Sequence, residues 1–479
     1  MQTGQSNKIG EITQKRNIQQ IHKEMVEVMQ LVGSPSYNQN YKPFIKTLFF
    51  SRLPILKKSE LLMRGIQIGM LHRLADMQNG LRDFNQQLSK ATTDSEKAGI
   101  EKSILAQRQW IRVLQTIADG IAWRNFEFDR PILRHLSDGP GPGHITQQDY
   151  DYRAALEKYL RSLSGFPIVN DLTRTLRVGD FTVLNRDGKK IIFEIKERGK
   201  VIYDVGQIFY EINRSKAIPK PQKWRHLNAQ MSMVERKVRL TKKEGNSVKN
   251  FFEVKIVDLD FPIKHHFRAL RRLIRKANRD GIAHEIVEEG YFIRVVAVDK
   301  IVGQSERIVD AFKASYPQWA KENDTVIPFD SFNSFYEENG QFTRNVVPYS
   351  VMPLSAKNCV RLMMGHLWVT VMVDTAIIEK RLTDMGWRVK KCDIQDRKIM
   401  DGDPKELLES EKFFEIEKDD ERGTFKSSVP ITDIMIAISS FYSLDFVVNS
   451  VESSYQAAKM TGETGFITKN YLGERKILV

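Results

Sequence analysis

The chain has 479 residues, 28% of them charged and 41% hydrophobic, which is ordinary for a globular protein and excludes a disordered or fibrous class. This length predicts two to four domains, each able to bury its own core. The formal net charge of +14 favours an acidic partner.

Other classes are excluded by what the sequence lacks. Cys359 and Cys392 form no CxxC pair and no zinc-ligand spacing, so we expect a reducing, cytoplasmic location. The first twenty residues are polar and no apolar run reaches a bilayer-spanning length, so neither a signal peptide nor a membrane segment is expected. A phosphate-binding loop of the GxxxxGKS/T type is absent, which argues against ATP hydrolysis by this chain.

The positive charge is concentrated in the middle of the chain. The net charge is +7 over residues 1–140, +12 over 141–300 and −5 over 301–479. Within the basic run 214–249, Lys223 and Arg225 flank a tryptophan, a mixture that suits phosphate contacts and base stacking. A solvated insertion would have the same composition.

Residues 1–137 are predicted to form a helical domain. Apolar residues recur at helical spacing through Ile18–Leu31, Leu61–Leu81 and Ile104–Ile121. This region contains no catalytic pattern, so we expect it to serve as a scaffold, a dimerisation unit or a partner contact.

Two local features of this region are more specific. Thr93 lies three residues before Glu96, the spacing of a capping box at a helix start. Trp123 follows Asp119 and Gly120, and we expect it in the core of a helical bundle, with a contact surface as the alternative.

The run 138–145 contains three glycines and two prolines and is predicted to be a linker. Thr146 then predicts a helix start, and apolar residues continue at helical spacing to Leu163. Glu157 lies beside this apolar stripe, so we expect it to be exposed.

The stretch Val178–Lys196 predicts a β-hairpin, because two β-branched runs flank a turn that contains Asp187-Gly188. Asp180 begins the first strand, while Glu194 and Lys196 lie near the end of the second. Since side chains alternate along a strand, Glu194 and Lys196 share a face. Pairing through the turn would bring Asp180 to Glu194 on that face.

This constellation resembles the PD-(D/E)xK nuclease superfamily, whose pattern is a carboxylate on one strand and Glu or Asp, any residue and Lys on the next. The resemblance covers about residues 146–260, and Gly179 replaces the usual proline. It implies a restriction-endonuclease-like domain over 146–300, with a central mixed β-sheet and flanking helices. The activity implied is hydrolysis of phosphodiester bonds.

The resemblance also implies roles. Asp180 and Glu194 would be ligands of Mg²⁺, or of Mn²⁺ in its place, with the main-chain oxygen of Ile195 as a further ligand. Lys196 would orient the attacking water or counter the developing negative charge. Accessory roles are implied for Glu157 on the preceding helix and for Gln207 on the following one.

The Asp/Glu-x-Lys triplet is weak evidence by itself, since the chain contains seven. Only Glu194 and Glu253 lie in strand-like apolar runs, Phe-Glu-Ile-Lys and Phe-Glu-Val-Lys. Glu253, within a predicted strand at 251–259, has no aspartate between Val205 and Val257, and so no metal partner on a preceding strand. We therefore favour Glu194 over Glu253 as the metal ligand. The alternative for Glu194 is a surface hairpin with a same-face Glu–Lys pair, which would contribute little to stability.

Two helices are predicted after the hairpin. The first is Ile202–Lys216, which carries Gln207. The second is Ile263–Arg279, in which one stripe is apolar and the other is basic. Guanidinium groups in such a row suit phosphates, and we favour nucleic acid over a membrane surface. The arginines of this basic stripe are Arg268, Arg271, Arg272, Arg275 and Arg279.

Residues 301–479 are predicted to form a mixed α/β domain of unknown role, after a strand at 291–298. We expect 326–329 and 346–352 to be extended and 358–382 to be a long buried helix. The acidic run 401–421 predicts an exposed loop or helix. The apolar run 431–450 predicts a core or a protein interface.

The sequence thus predicts a multidomain α/β protein that acts as a metal-dependent deoxyribonuclease, in a setting such as bacterial restriction or phage defence. RNA stays open as a substrate, and so do self-association and a separate sensor or ATPase subunit as partners. The alternatives are a nuclease fold that binds nucleic acid or a partner without cleavage, and a helical scaffold or regulatory protein.

Overall fold

The structure is a computed structural model of the whole chain, and the residues it describes lie in fifteen ranges. These are 42–52, 59–126, 133, 156–161, 163, 165–177, 180–184, 190–196, 199–204, 264–301, 316–322, 326–330, 348–393, 412–421 and 423–461. They form helices together with three small antiparallel sheets. The predicted mixture of helices and sheets is confirmed, whereas the restriction-endonuclease-like arrangement stays a prediction.

Three helices begin the described chain: α1 (Lys42–Ser51), α2 (Ser59–Lys90) and α3 (Asp94–Asn125). The predicted cap of α3 is confirmed, because the Thr93 hydroxyl accepts a hydrogen bond from the Glu96 amide at 3.2 Å. The Glu96 carboxylate in turn accepts from the amide of Thr92 at 3.3 Å. Trp123 is 1% exposed, which confirms its predicted place in a core.

The first sheet has the strand order β1-β2-β3-β4. Its strands are β1 (Phe166–Val169), β2 (Phe181–Leu184), β3 (Lys190–Lys196) and β4 (Gly199–Asp204). The hairpin of β2 and β3 confirms the predicted strand pair. The helix predicted from Ile202 is wrong over 202–204, where Val201, Ile202 and Tyr203 supply β-branched and aromatic residues suited to a strand. Residues 205–216 lie outside the described residues.

Side chains of helix α2 hydrogen-bond to the backbone of β1, an outer strand of this sheet. The side-chain amide of Gln67 donates to the Pro167 carbonyl at 2.9 Å and accepts from the Val169 amide at 2.8 Å. Arg64 donates to the carbonyls of Leu163 and Gly165, just after the short helical stretch 156–161. Backbone groups at a strand edge and a helix end are thereby satisfied by side chains of α2.

The second sheet has the order β5-β6-β8-β7, and every pair is antiparallel. It is preceded by helix α4 (Phe267–Asp280), which packs on β5 and β6. The short helices α5 (Val298–Ile301) and α6 (Gln318–Glu322) follow the hairpin. The strands are β5 (Ile282–Glu288), β6 (Tyr291–Ala297), β7 (Val326–Asp330) and β8 (Leu367–Asp374).

The prediction of one continuous helix over 358–382 is wrong over 364–374, although both ends of that range are helical. The chain forms α7 (Ala356–Met363), then strand β8, then α8 (Thr375–Asp384). All eight residues of β8 are buried, because the strand has a neighbour on each side and is covered on both faces. Its continuous apolar run therefore lacks the alternation that normally identifies a strand.

The third sheet has the order β11-β10-β9 and is followed by two helices. Residues 412–420 of the acidic run form a strand, not a loop or helix. The expected extended stretch at 346–352 contains a 3-10 turn at Tyr349–Val351. The elements are β9 (Arg388–Asp393), β10 (Lys412–Asp420), β11 (Gly423–Pro430), α9 (Ile431–Ser439) and α10 (Leu444–Thr461).

The apolar run 431–450 contributes to the core, as one of the two expectations had it, and the buried apolar side chains form one cluster from Phe44 to Tyr455. None of the described helices combines the length and the apolar character needed to cross a bilayer.

Helix α3 contacts both halves of the described chain through consecutive residues. The Asp119 carboxylate is 2% exposed and accepts hydrogen bonds from the amides of Arg174 and Thr175 at 2.7 and 3.0 Å. Gly120 lies against the 3-10 turn, where a Cβ would come within 2.2 Å of the Ser350 Oγ. That hydroxyl donates to the Thr116 carbonyl at 2.6 Å.

Gly120→Ala is expected to destabilise the protein by about 1–3 kcal/mol, because the added methyl group overpacks this contact. Gly99→Ala in the same helix meets nothing within 4 Å. That control should raise stability by up to about 1 kcal/mol, since alanine is the better helix former. Chemical denaturation of both variants checks the pair, and equal stabilisation by the two substitutions would contradict the close contact.

Candidate functional site

The register of the first sheet determines where the predicted nuclease residues lie relative to one another. Phe181 pairs with Phe193 across β2 and β3. One residue further along this register, position 180 lies opposite position 194. Directly opposed residues of an antiparallel pair lie on the same face of the sheet, with Cβ atoms about 5 Å apart.

Several chain segments meet at this end of the sheet. The Asn170 amide donates to the Asp180 carbonyl at 2.9 Å where β1 ends and β2 begins. Lys196 pairs with Gly199 where β3 ends and β4 begins. Asp180 is half-buried. The backbone therefore brings the positions of Asp180, Glu194 and Lys196 to the same end of the sheet.

The side chains of Glu194, Ile195 and Lys196 lie outside the described side chains, so their roles stay predictions. Among the residues searched, which are only the described ones, no group of three His, Cys, Asp or Glu side chains could hold a metal ion. The fit of Mg²⁺ to this site consequently depends on the opposed carboxylate positions 180 and 194.

The structure gives Glu157 a protein partner. Its carboxylate lies 3.0 Å from the Nε2 of His72 on α2, and its side chain is 22% exposed. Glu157 was expected to be exposed and is only partly so. Its role near a metal stays a prediction, and Gln207, Lys223, Arg225 and Glu253 lie outside the described residues.

The basic helix is confirmed as α4, with the predicted two faces. Phe267, Leu270, Ile274 and Ala277 are buried against the second sheet. All of the predicted arginines are exposed on the opposite face: Arg268, Arg271, Arg272, Arg275 and Arg279.

A network of hydrogen bonds and ion pairs stabilises the start of α4. The Nε2 of His266 lies 3.0 Å from the Glu288 carboxylate, which also accepts from the Leu444 amide at 2.8 Å. Arg381 donates to Glu288 at 3.3 Å and to Asp445 at 2.8 Å. Burial would raise the pKa of Glu288, but the bonds from His266 and Leu444 and the charge of Arg381 outweigh it and lower that pKa.

Sequence reasoning missed this network and the buried Asp119–Arg174 pair. Their partners are separated by between 22 and 156 residues along the chain. The one local signal was the Asp119-Gly120 pair inside an apolar helix, where neither residue is favoured.

Comparisons with known proteins give no guide to the function: no family model, no curated protein and no solved structure matches this chain. The assignment therefore depends on the residues and their arrangement.

Glu288→Gln is expected to lower the unfolding free energy by about 1–3 kcal/mol at neutral pH, through loss of charged hydrogen bonds. Because its pKa is lowered in the folded protein, the contribution of Glu288 is complete above the unfolded value of about 4.3 and is lost as pH falls through the folded value. The variant should consequently show a flatter acid dependence of stability between about pH 5 and pH 3.

Denaturation at a series of pH values checks this prediction, with Glu289→Gln as the control. Glu289 occupies the adjacent turn position and has no side-chain ion pair with the described residues. Identical pH profiles for the wild type and Glu288→Gln would contradict the assignment.

Proposed function

We propose that this protein hydrolyses phosphodiester bonds in DNA with Mg²⁺ or Mn²⁺ as cofactor. The observation that carries the proposal is the pairing of Phe181 with Phe193 across β2 and β3, whose continuation by one residue sets position 180 opposite position 194. An aspartate just before β2, a glutamate on the adjacent strand β3 and Lys196 two positions beyond Glu194 are the residue types that this reaction needs.

Each residue has a distinct task in this proposal. Asp180 and Glu194 hold the metal with their carboxylates, and the Ile195 carbonyl adds a ligand. The bound ion supplies positive charge that acidifies a water molecule and stabilises the phosphate. Lys196 orients the attacking water or offsets the negative charge that develops on the phosphate.

A second candidate function is binding of nucleic acid without cleavage. Strand β4 favours it, because its residues 202–204 extend the sheet where the helix carrying the accessory Gln207 was predicted to begin. The exposed arginines of α4 serve either function.

Glu194→Ala and Lys196→Ala are each expected to reduce plasmid cleavage in Mg²⁺ on the order of 100-fold or more, because each removes a group that acts on the phosphate or the water. Glu253→Ala is the matched control, since Glu253 lies in the equivalent Phe-Glu-x-Lys sequence. It should cleave like the wild type.

Binding of the same DNA in EDTA shows whether the variants remain folded and able to bind. Loss of cleavage with binding retained supports hydrolysis at this site. Cleavage that survives Glu194→Ala, or that falls equally in Glu253→Ala, would overturn the assignment. A folded wild type that binds DNA but never cleaves it would favour the second candidate.

A further inference from the structure

The exposed arginines of α4 are not equivalent. Arg272 donates from its Nε to the Glu285 carboxylate of β5 at 3.1 Å and makes a second, shorter bond to the same group. Arg279 makes two bonds to Asp280 at 2.8 and 3.0 Å. Both guanidinium groups are therefore already engaged by carboxylates.

Arg268, Arg271 and Arg275 are exposed and have no carboxylate partner among the described residues. Their spacing of three and four residues puts them on one side of the helix, over an axial distance of about 10 Å. We call these three side chains the arginine face. Burial is the largest cause that lowers the pKa of His265, and the charges of His266, Arg271 and Arg268 lower it further.

We propose that the arginine face binds the phosphate backbone of double-stranded DNA, while Arg272 and Arg279 stabilise the helix and its strand. Three guanidinium groups without carboxylate partners offer donors and positive charge in a geometry suited to phosphate oxygens. A helix of this width also fits the major groove. The proposal rests on the proposed function only for the choice of DNA as the ligand.

The packing of α4 argues against a membrane surface as the ligand. A helix that lies in a bilayer interface inserts its apolar face among the lipids. The apolar face of α4 is instead buried against β5 and β6, with Leu270, Ile274 and Ala277 all fully enclosed. Only the charged face is available.

The test compares two double variants that remove the same charge from the same helix. Arg268→Gln with Arg271→Gln is expected to weaken binding of a short mixed-sequence duplex on the order of 10- to 100-fold at low salt. The slope of log K against log salt should fall by about 1.8, because two phosphate contacts are lost. Arg272→Gln with Arg279→Gln should change the affinity by less than about threefold, because Glu285 and Asp280 already offset the charge of these two guanidinium groups toward a phosphate.

Fluorescence anisotropy in EDTA measures binding without cleavage, and thermal unfolding shows that both variants fold. Equal losses in the two variants would mean that binding follows total charge, which overturns the proposal. No loss in either variant overturns it as well. Binding to phosphatidylserine vesicles that depends on Arg268 and Arg271, without such dependence for DNA, would assign the face to a membrane instead.

These results are separable from those for hydrolysis. If wild type never cleaves DNA but the first double variant alone loses binding, the arginine face stands and the nuclease proposal fails. If Glu194→Ala abolishes cleavage while the first double variant binds normally, the reverse holds.

Discussion

The buried carboxylate of Asp119 is the interaction on which much of the arrangement depends. It accepts hydrogen bonds from the backbone amides of Arg174 and Thr175, and from the Nε of Arg174 at 2.9 Å. These bonds hold the segment that precedes β2 against helix α3. An uncompensated charge at this depth would cost several kcal/mol, so the segment and helix α3 must come together as a unit. One residue on, Gly120 allows the turn at Tyr349–Val351 to approach the same helix. The chain that precedes Asp180 is thus positioned by helix α3, which itself contains no catalytic pattern.

Local signals in the sequence were sufficient for part of the fold. The Thr93–Glu96 cap, the two faces of α4 and the pairing of β2 with β3 each depend on residues within a few positions of one another or on a strong turn sequence. Periodicity and turn chemistry report such elements well, because their physical causes are short-range. The positions of Asp180 and Glu194 belong to this class, since the hairpin register alone relates them.

Other features depended on the tertiary environment. Strand β8 appeared helical because it is buried on both faces, and its identity comes from its neighbours β6 and β7. The sequence could not show that, within the described part of the chain, Arg272 is paired with a carboxylate while Arg275 is not. The partner of Arg272, Glu285, lies on strand β5, and the distance between β5 and α4 depends on their packing. The same applies to Glu288, whose partners come from three other segments. Side-chain pairing across elements cannot be read from periodicity.

The contact of Gln67 with β1 bears on self-association. An exposed strand edge offers unpaired amide and carbonyl groups on which another chain can add a strand. At β1 the outward groups of Pro167 and Val169 are occupied by one glutamine side chain, and the proline has no amide hydrogen to offer. The first sheet is therefore blocked against edge-to-edge pairing on its β1 side. A single glutamine of helix α2 thus takes the place that a further strand would occupy at this edge.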